Sequence, residues 1–225
     1  MKKYFCLHDK LSTKVCTEYP TECPICHNLI SPDYQFDFSN KIISHVSLFF
    51  SCPACGKGFI GHYGTTGNTL EYSGHKYKEI ILEKSYPNIP QKHKFEKCIE
   101  NLSPSFCEIY NQALATENYE LNQISGMGYR KALEFLIKDY AIYRYPDKTD
   151  EIKSKLLGQV INDYIDSSKL KALSKASVWI GNDETHYIRK FEGKDITDLK
   201  RFISATMAFI TYELTSDEAE KLINS

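Results

Sequence analysis

Two short cysteine hooks constrain this 225-residue chain more than any other feature in it. They are Cys23-Pro24-Ile25-Cys26 and Cys52-Pro53-Ala54-Cys55-Gly56, with 25 residues between Cys26 and Cys52. Each hook presents a pair of thiols three positions apart. At that spacing, two tight turns can hold one tetrahedral ion. Such a turn must aim both backbone and sulfur at the metal, and Pro24, Pro53 and Gly56 stand where it bends. Cys23, Cys26, Cys52 and Cys55 are therefore the expected ligands of one structural Zn2+ per chain. Iron is also taken by such knuckles. Four thiolates leave no position open for substrate or water, so the expected role of the ion is structural.

The chain has eight cysteines, which in an exported protein would suggest disulfides. The start, Met1-Lys2-Lys3-Tyr4-Phe5-Cys6-Leu7-His8, has two lysines but no apolar stretch behind them. A signal peptide needs one, so a cytoplasmic protein with reduced thiols is expected. No apolar run approaches the roughly 18 to 20 residues of a membrane span, and no membrane partner is expected. Of the other four cysteines, Cys6, Cys16, Cys98 and Cys107 read as free buried thiols. A second metal site from Cys6, His8 and Cys16 lacks a clear fourth ligand.

Net charge is -1, which excludes a protein that binds nucleic acid by bulk charge. Residues 1–95 carry 11 Lys against 8 acids, and residues 96–225 carry 17 Lys and Arg against 21 acids. The stretch Gly74–Lys97, with six lysines, is mildly basic and reads as a solvated surface. The 16 Tyr and 12 Phe read as core and sheet surface, because no basic-aromatic motif is present.

Between the hooks the texture is that of strands. Tyr34–Phe38 alternates aromatic and polar, and Ile42–Phe50 is β-branched and aromatic. Gly58–Tyr63 leaves the second hook as another strand, Gly64–Asn68 reads as a turn-rich loop, and Thr69–Tyr72 and Lys76–Leu82 follow. Hook, strand, strand, hook, strand, strand is a zinc-ribbon arrangement over residues 1–90. Residues 1–22 lead in without strong periodicity.

Two prolines in Tyr86-Pro87-Asn88-Ile89-Pro90 disfavour helix and central strand, and the chain turns helical beyond them. Ser103-Pro104 opens a helix to about Glu117. Tyr129, Ala132, Leu133, Leu136, Ile137, Tyr140 and Ala141 mark the apolar face of a second, with Gly126 and Gly128 suited to a close crossing. A third runs from Asp150 to about Tyr164, with Ile152, Leu156, Val160 and Ile161 inward. A fourth spans Ser167–Ile180, and a fifth runs from Asp195 to about Leu214. A last short helix begins near Ser216. The fold class expected is α+β: a four-cysteine ribbon sheet, then an all-α bundle over 91–225.

The bundle carries one unusual polar stretch, Trp179-Ile180-Gly181-Asn182-Asp183-Glu184-Thr185-His186-Tyr187, with the only tryptophan. If the helix continues through Gly181, Asn182 and His186 share a face. Arg130, Glu134 and Lys138, at i, i+4 and i+8, form a matching stripe on the second helix. The blander reading of both is a buried hydrogen-bonded pair and an ordinary ion-pair stripe.

Tyr86-Pro87, the Arg130-x-x-x-Glu134 helix and the Gly181-Asn182-x-x-x-His186 helix, behind a zinc ribbon, resemble a bacterial domain family. That family occurs in type I restriction subunits and defence-associated proteins, and its bundle is similar to HEPN domains. The resemblance covers roughly residues 86–215. It implies a homodimer and, in active HEPN members, a metal-independent ribonuclease with an Arg-x(4–6)-His motif. His186 would be its general acid/base, near neutral pH a suitable role for imidazole, and an arginine would steady the phosphate charge. Here Trp179, Ile180 and Gly181 stand at the arginine's positions. The chain has four arginines, of which Arg130 or Arg189 would have to take its place.

The first functional reading is therefore a non-enzymatic, zinc-binding helical module that engages protein, RNA or DNA, in phage defence or restriction. The alternative is a divergent HEPN-type ribonuclease using His186, with Asn182 and Arg130 as its candidate partners. No glycine-rich phosphate loop, nucleophile elbow or HExxH motif offers another enzyme class.

Overall fold

In the computed structural model, residues 4–8, 14–39, 45–72, 74–183, 187, 190, 191 and 193–224 are described. The chain divides into two units, Met1–Gln91 and Lys92–Ser225, each with its own apolar cluster. The first unit is a mixed sheet, and the second is all helix.

The sheet holds β1 (Tyr4–His8), β2 (Lys14–Glu18), β3 (Asp33–Ser39), β4 (His45–Ser51), β5 (Gly58–Tyr72) and β6 (His75–Tyr86). Its order is β1-β2-β6-β5-β4-β3. The four strands after the first hook are antiparallel neighbours, as a ribbon requires. The two strands ahead of that hook extend the expected ribbon. β2 joins β6 in parallel, and β1 pairs antiparallel with β2. Five residues each, these two strands carry no clean alternation that would mark them in the sequence. They join because β6 offers an unpaired edge.

Strand β4 shows why the sheet forms. Val46, Leu48 and Phe50 are buried and their neighbours are not, the period of two that puts one face on a core. Phe50 stacks on Phe59 of β5 at 5.5 Å, and Tyr19 and Tyr34 close on it edge-first at 5.9 and 6.3 Å. Cys23 and Cys52 belong to this same buried cluster.

The expected loop over Gly64–Asn68 is instead an irregularity inside one long strand. Pairing of β5 with β6 jumps between Thr65 and Thr69. Gly67, at φ 80°, takes the left-handed conformation that such a bulge needs. Glu79 of β6 replaces the missing ladder bonds, accepting from the Thr66 hydroxyl at 2.9 Å and the Asn68 amide at 3.0 Å. Turn-forming residues thus mark a bulge here.

The second unit contains α1 (Lys97–Leu102), α2 (Pro104–Asn118), α3 (Asn122–Arg144), α4 (Thr149–Ser154), α5 (Leu157–Tyr164), α6 (Ser168–Asp183) and α7 (Ile196–Ile223). Helix α3 is its centre. All seven of the apolar positions read from its periodicity are buried. Gly128 brings α3 against α2: a Cβ there would lie 2.8 Å from the Ala113 Cβ, too close to coexist. Tyr129, fully buried, donates its hydroxyl to Glu117 Oε2 at 2.7 Å, and Lys200 Nζ holds both Glu117 oxygens at 3.0 Å. One carboxylate thereby ties α2, α3 and α7 together.

Two helix expectations are corrected. The third expected helix breaks into α4 and α5 because Lys155 and Leu156 are extended. The Gln159 side chain accepts the Leu156 N–H at 3.1 Å and starts a new helix. Leu156, expected inside, is 74% exposed, and Leu157 is buried in its place. The expected last short helix does not exist separately: α7 runs unbroken for 28 residues. No Gly or Pro interrupts it, and Asp217 is held by the Arg144 guanidinium at 3.1 Å. Among the described residues, no helix is long and apolar enough to cross a membrane.

Candidate metal centre

The two hooks fold into the same turn. In the second, the Cys52 N–H donates to the Lys57 carbonyl at 2.9 Å and the Gly56 N–H to the Cys52 carbonyl at 2.8 Å. In the first, Cys23 N–H donates to the Asn28 carbonyl at 3.1 Å and His27 N–H to the Cys23 carbonyl at 2.9 Å. Residue by residue, His27 takes the place of Gly56.

That place requires a left-handed backbone. Gly56 sits at φ 69° and His27 at φ 57°. Glycine adopts it freely, whereas any other residue is disfavoured by roughly 1–2 kcal/mol. His27 is held there by its ring. Nδ1 lies 3.0 Å from Glu22 Oε1, and Nε2 lies 2.7 Å from the Ile89 carbonyl. The Ile89 N–H donates to the Pro24 carbonyl at 3.0 Å, so both polar groups of Ile89 are fastened to the first hook.

These turns bring the four sulfurs of Cys23, Cys26, Cys52 and Cys55 within 4.8 Å of one another. Cys26 Sγ and Cys52 Sγ are 3.8 Å apart. A disulfide would place them at about 2.05 Å. A tetrahedral ion with bonds of about 2.3 Å separates its sulfurs by about 3.8 Å. The four thiols are free, so the group fits a metal ion of that coordination.

The surroundings suit thiolates. The Ile25 N–H points at Cys23 Sγ at 3.4 Å, and the Asn28 amide at Cys26 Sγ at 3.5 Å. Burial pushes the Cys23 thiol up to about 11. Burial acts upward most strongly on Cys52 too, but the backbone N–H groups of Cys55 and Ala54, with the Cys23 and Cys55 thiols, together bring that thiol down to about 7. A cation among the sulfurs removes the cost of burying Cys23 as an anion. His45 and His62 stand apart from the group. His45 faces Glu83 at 3.7 Å, and His62 packs on the Tyr86 ring at 5.2 Å. Of the possible second site, the backbone register sets Cys6 opposite Cys16 and His8 opposite Lys14.

In the bundle, the Arg130 stripe and the Gly181-Asn182 pair form one device. Helix α6 continues through Gly181 to Asp183. A Cβ on Gly181 would lie 2.9 Å from Arg130 Cβ and Cγ, so the glycine makes room for the arginine stem. Arg130 Nε then donates to Asn182 Oδ1 at 2.6 Å. Its Nη1 lies 3.4 Å from Glu134, and Glu134 also takes Lys138 Nζ at 3.0 Å. His186 and Arg189 lie outside the described residues, so the expected Asn182–His186 face is outside them too.

Two features escaped sequence reading. The His27 clamp was legible only by overlaying the hooks, which aligns His27 with Gly56. The other is the end of α6. Asp183, buried, accepts the N–H groups of Lys190 and Phe191 on one oxygen, at 2.8 and 2.6 Å. This lays the Phe191 ring parallel to Trp179, 6.0 Å away and tilted by only 7°.

No protein-family model, no curated protein and no solved structure matches the chain.

Proposed function

We propose that the protein is a non-enzymatic binding module. A structural zinc ion fastens its sheet unit, and its helical unit engages a protein or nucleic-acid partner as a homodimer, in phage defence or restriction. The observation that carries the metal part is the four-sulfur group, all within 4.8 Å, with Cys26 and Cys52 at the 3.8 Å of a tetrahedral shell. Four thiolates fill the shell of a zinc ion, which supports a structural role over a catalytic one. Arg130 supports the non-enzymatic part. Its Nε and Nη1 are engaged by Asn182 and Glu134, as in a helix-to-helix lock.

Metal analysis and an RNA-cleavage assay test the two parts separately. The purified chain is expected to hold about one zinc per four-cysteine site and to lack the colour of iron–thiolate centres. It is expected to leave RNA intact. Metal-independent cleavage that disappears in His186→Ala would replace this reading with a HEPN-type ribonuclease. Protein without metal would remove the zinc.

A further inference from the structure

Helices α5 and α6 leave a cleft between them that neither the metal centre nor the Arg130 lock uses. Its lining comes from matched i, i+3, i+4 faces: Gly158, Ile161 and Asn162 of α5, and Lys175, Val178 and Trp179 of α6. The volume is about 240 Å³. That lies below the roughly 300–1,000 Å³ of pockets that take a whole drug-sized ligand, and suits one ring system. Gly158 borders open space: a Cβ there would meet nothing within 4 Å.

The chemistry of the walls is specific. Trp179, the only tryptophan of the chain, is 55% exposed and stacks flat on Phe191, itself 40% exposed. An indole left at the surface gives up much of the burial that ordinarily stabilises it. Here it is braced, because the Asp183 clamp on Lys190 and Phe191 fixes the second ring behind it. The polar groups of the cleft are unspent. Lys175 makes no ion pair and Asn162 no side-chain hydrogen bond among the described residues, and both line the cleft. Nearby lysines differ: Lys171 binds the Asn162 carbonyl at 2.9 Å, and Lys155 binds Glu151 and Asp163 at 2.8 and 2.9 Å.

We infer that this cleft binds a nucleoside phosphate, with the base stacked on Trp179, its edge read by the Asn162 amide, and the phosphate beside Lys175. A flat aromatic wall, a two-way hydrogen-bonding amide and one available cation are the three complements such a ligand needs. The inference narrows the binding role proposed above, and it stands on the helical unit alone. Loss of the zinc claim in metal analysis would therefore leave it intact.

The single tryptophan makes the test direct. Its fluorescence, excited selectively, is followed while the full chain is titrated with adenosine, cytidine, guanosine and uridine monophosphates. Inorganic phosphate, the parent nucleosides and a short single-stranded oligouridylate are titrated in parallel. Saturable quenching by a mononucleotide is expected, weaker with the nucleoside and absent with phosphate. Saturation by the oligonucleotide alone would identify the same site as one for a nucleotide unit within a strand. Gly158→Leu places its Cβ where nothing lies within 4 Å and improves helix propensity, so it is expected to fold and to occupy the cleft, with circular dichroism as the check on folding. It is expected to abolish the quenching. By calorimetry, Trp179→Ala is expected to weaken binding by about 5- to 150-fold, the worth of one stacked base. Absence of quenching by every nucleotide probe, or quenching unchanged in Gly158→Leu, would overturn the proposal.

Discussion

Cys52→Ser is expected to abolish metal binding and to unfold the hook end of the sheet. Cys52 is buried among Phe50, Phe59 and the other thiols, and its N–H and carbonyl close the second turn. A serine there cannot complete a four-thiolate shell. Structural zinc contributes about 10–16 kcal/mol of apparent binding free energy in small folded motifs, comparable with the whole net stability of a domain. The apolar cluster of the sheet unit is small and includes two of the cysteines themselves, so it has little to fall back on. The measurement is metal content together with amide exchange. Strands β4 and β5 should lose protection while α3 keeps its own, since its cluster contains no cysteine ligand. A variant that keeps both its metal and its strand protection would show that the ion is not what holds the sheet.

Phe106→Ala is expected to destabilise the helical unit by about 3–5 kcal/mol, the usual range for removing a buried aromatic ring. The ring is fully buried and sits between Phe95 at 5.4 Å and Tyr110 at 5.7 Å, and Tyr110 in turn meets Tyr129 at 4.9 Å. The hole would open in the middle of an aromatic chain that links the start of the unit to α3, where little can collapse to fill it. Thermal or chemical unfolding of the helical signal reads the loss. A shift equivalent to under about 1 kcal/mol, the range of tolerated swaps, would mean that the site relaxes and that this chain of rings is not a rigid core.

Much of this architecture was legible because its signals are local. A CxxC pair defines its own turn, so the metal group follows from spacing. The face of α3 follows from a period that no competing residue disturbs. Most hidden features depended on partners outside their own segment, and one on a local bond that overrides its neighbours. β1 and β2 exist because β6 leaves an edge for them, and the 64–68 stretch is a bulge because Glu79 faces it. The α4–α5 break turns on the hydrogen bond of Gln159 to a backbone N–H, against a run of residues that otherwise favours one helix. In the bundle the Gly181-Asn182 pair was visible as unusual. That it accommodates and binds Arg130 required the helix packing.

The clamp on Ile89 gives the first hook a second consequence. The stretch that joins the two units is held at Ile89 by Pro24 and His27, and at the far side the His93 N–H is held by Asn111 at 2.7 Å. Between these fastenings lie Pro90, Gln91 and Lys92. The hook is thus also a cleat on the leash between units. Stripping the ion would let chain pay out as far back as Tyr86, the end of β6. Exchange of the Ile89 amide, slow with metal and fast after chelation, would report that slackening.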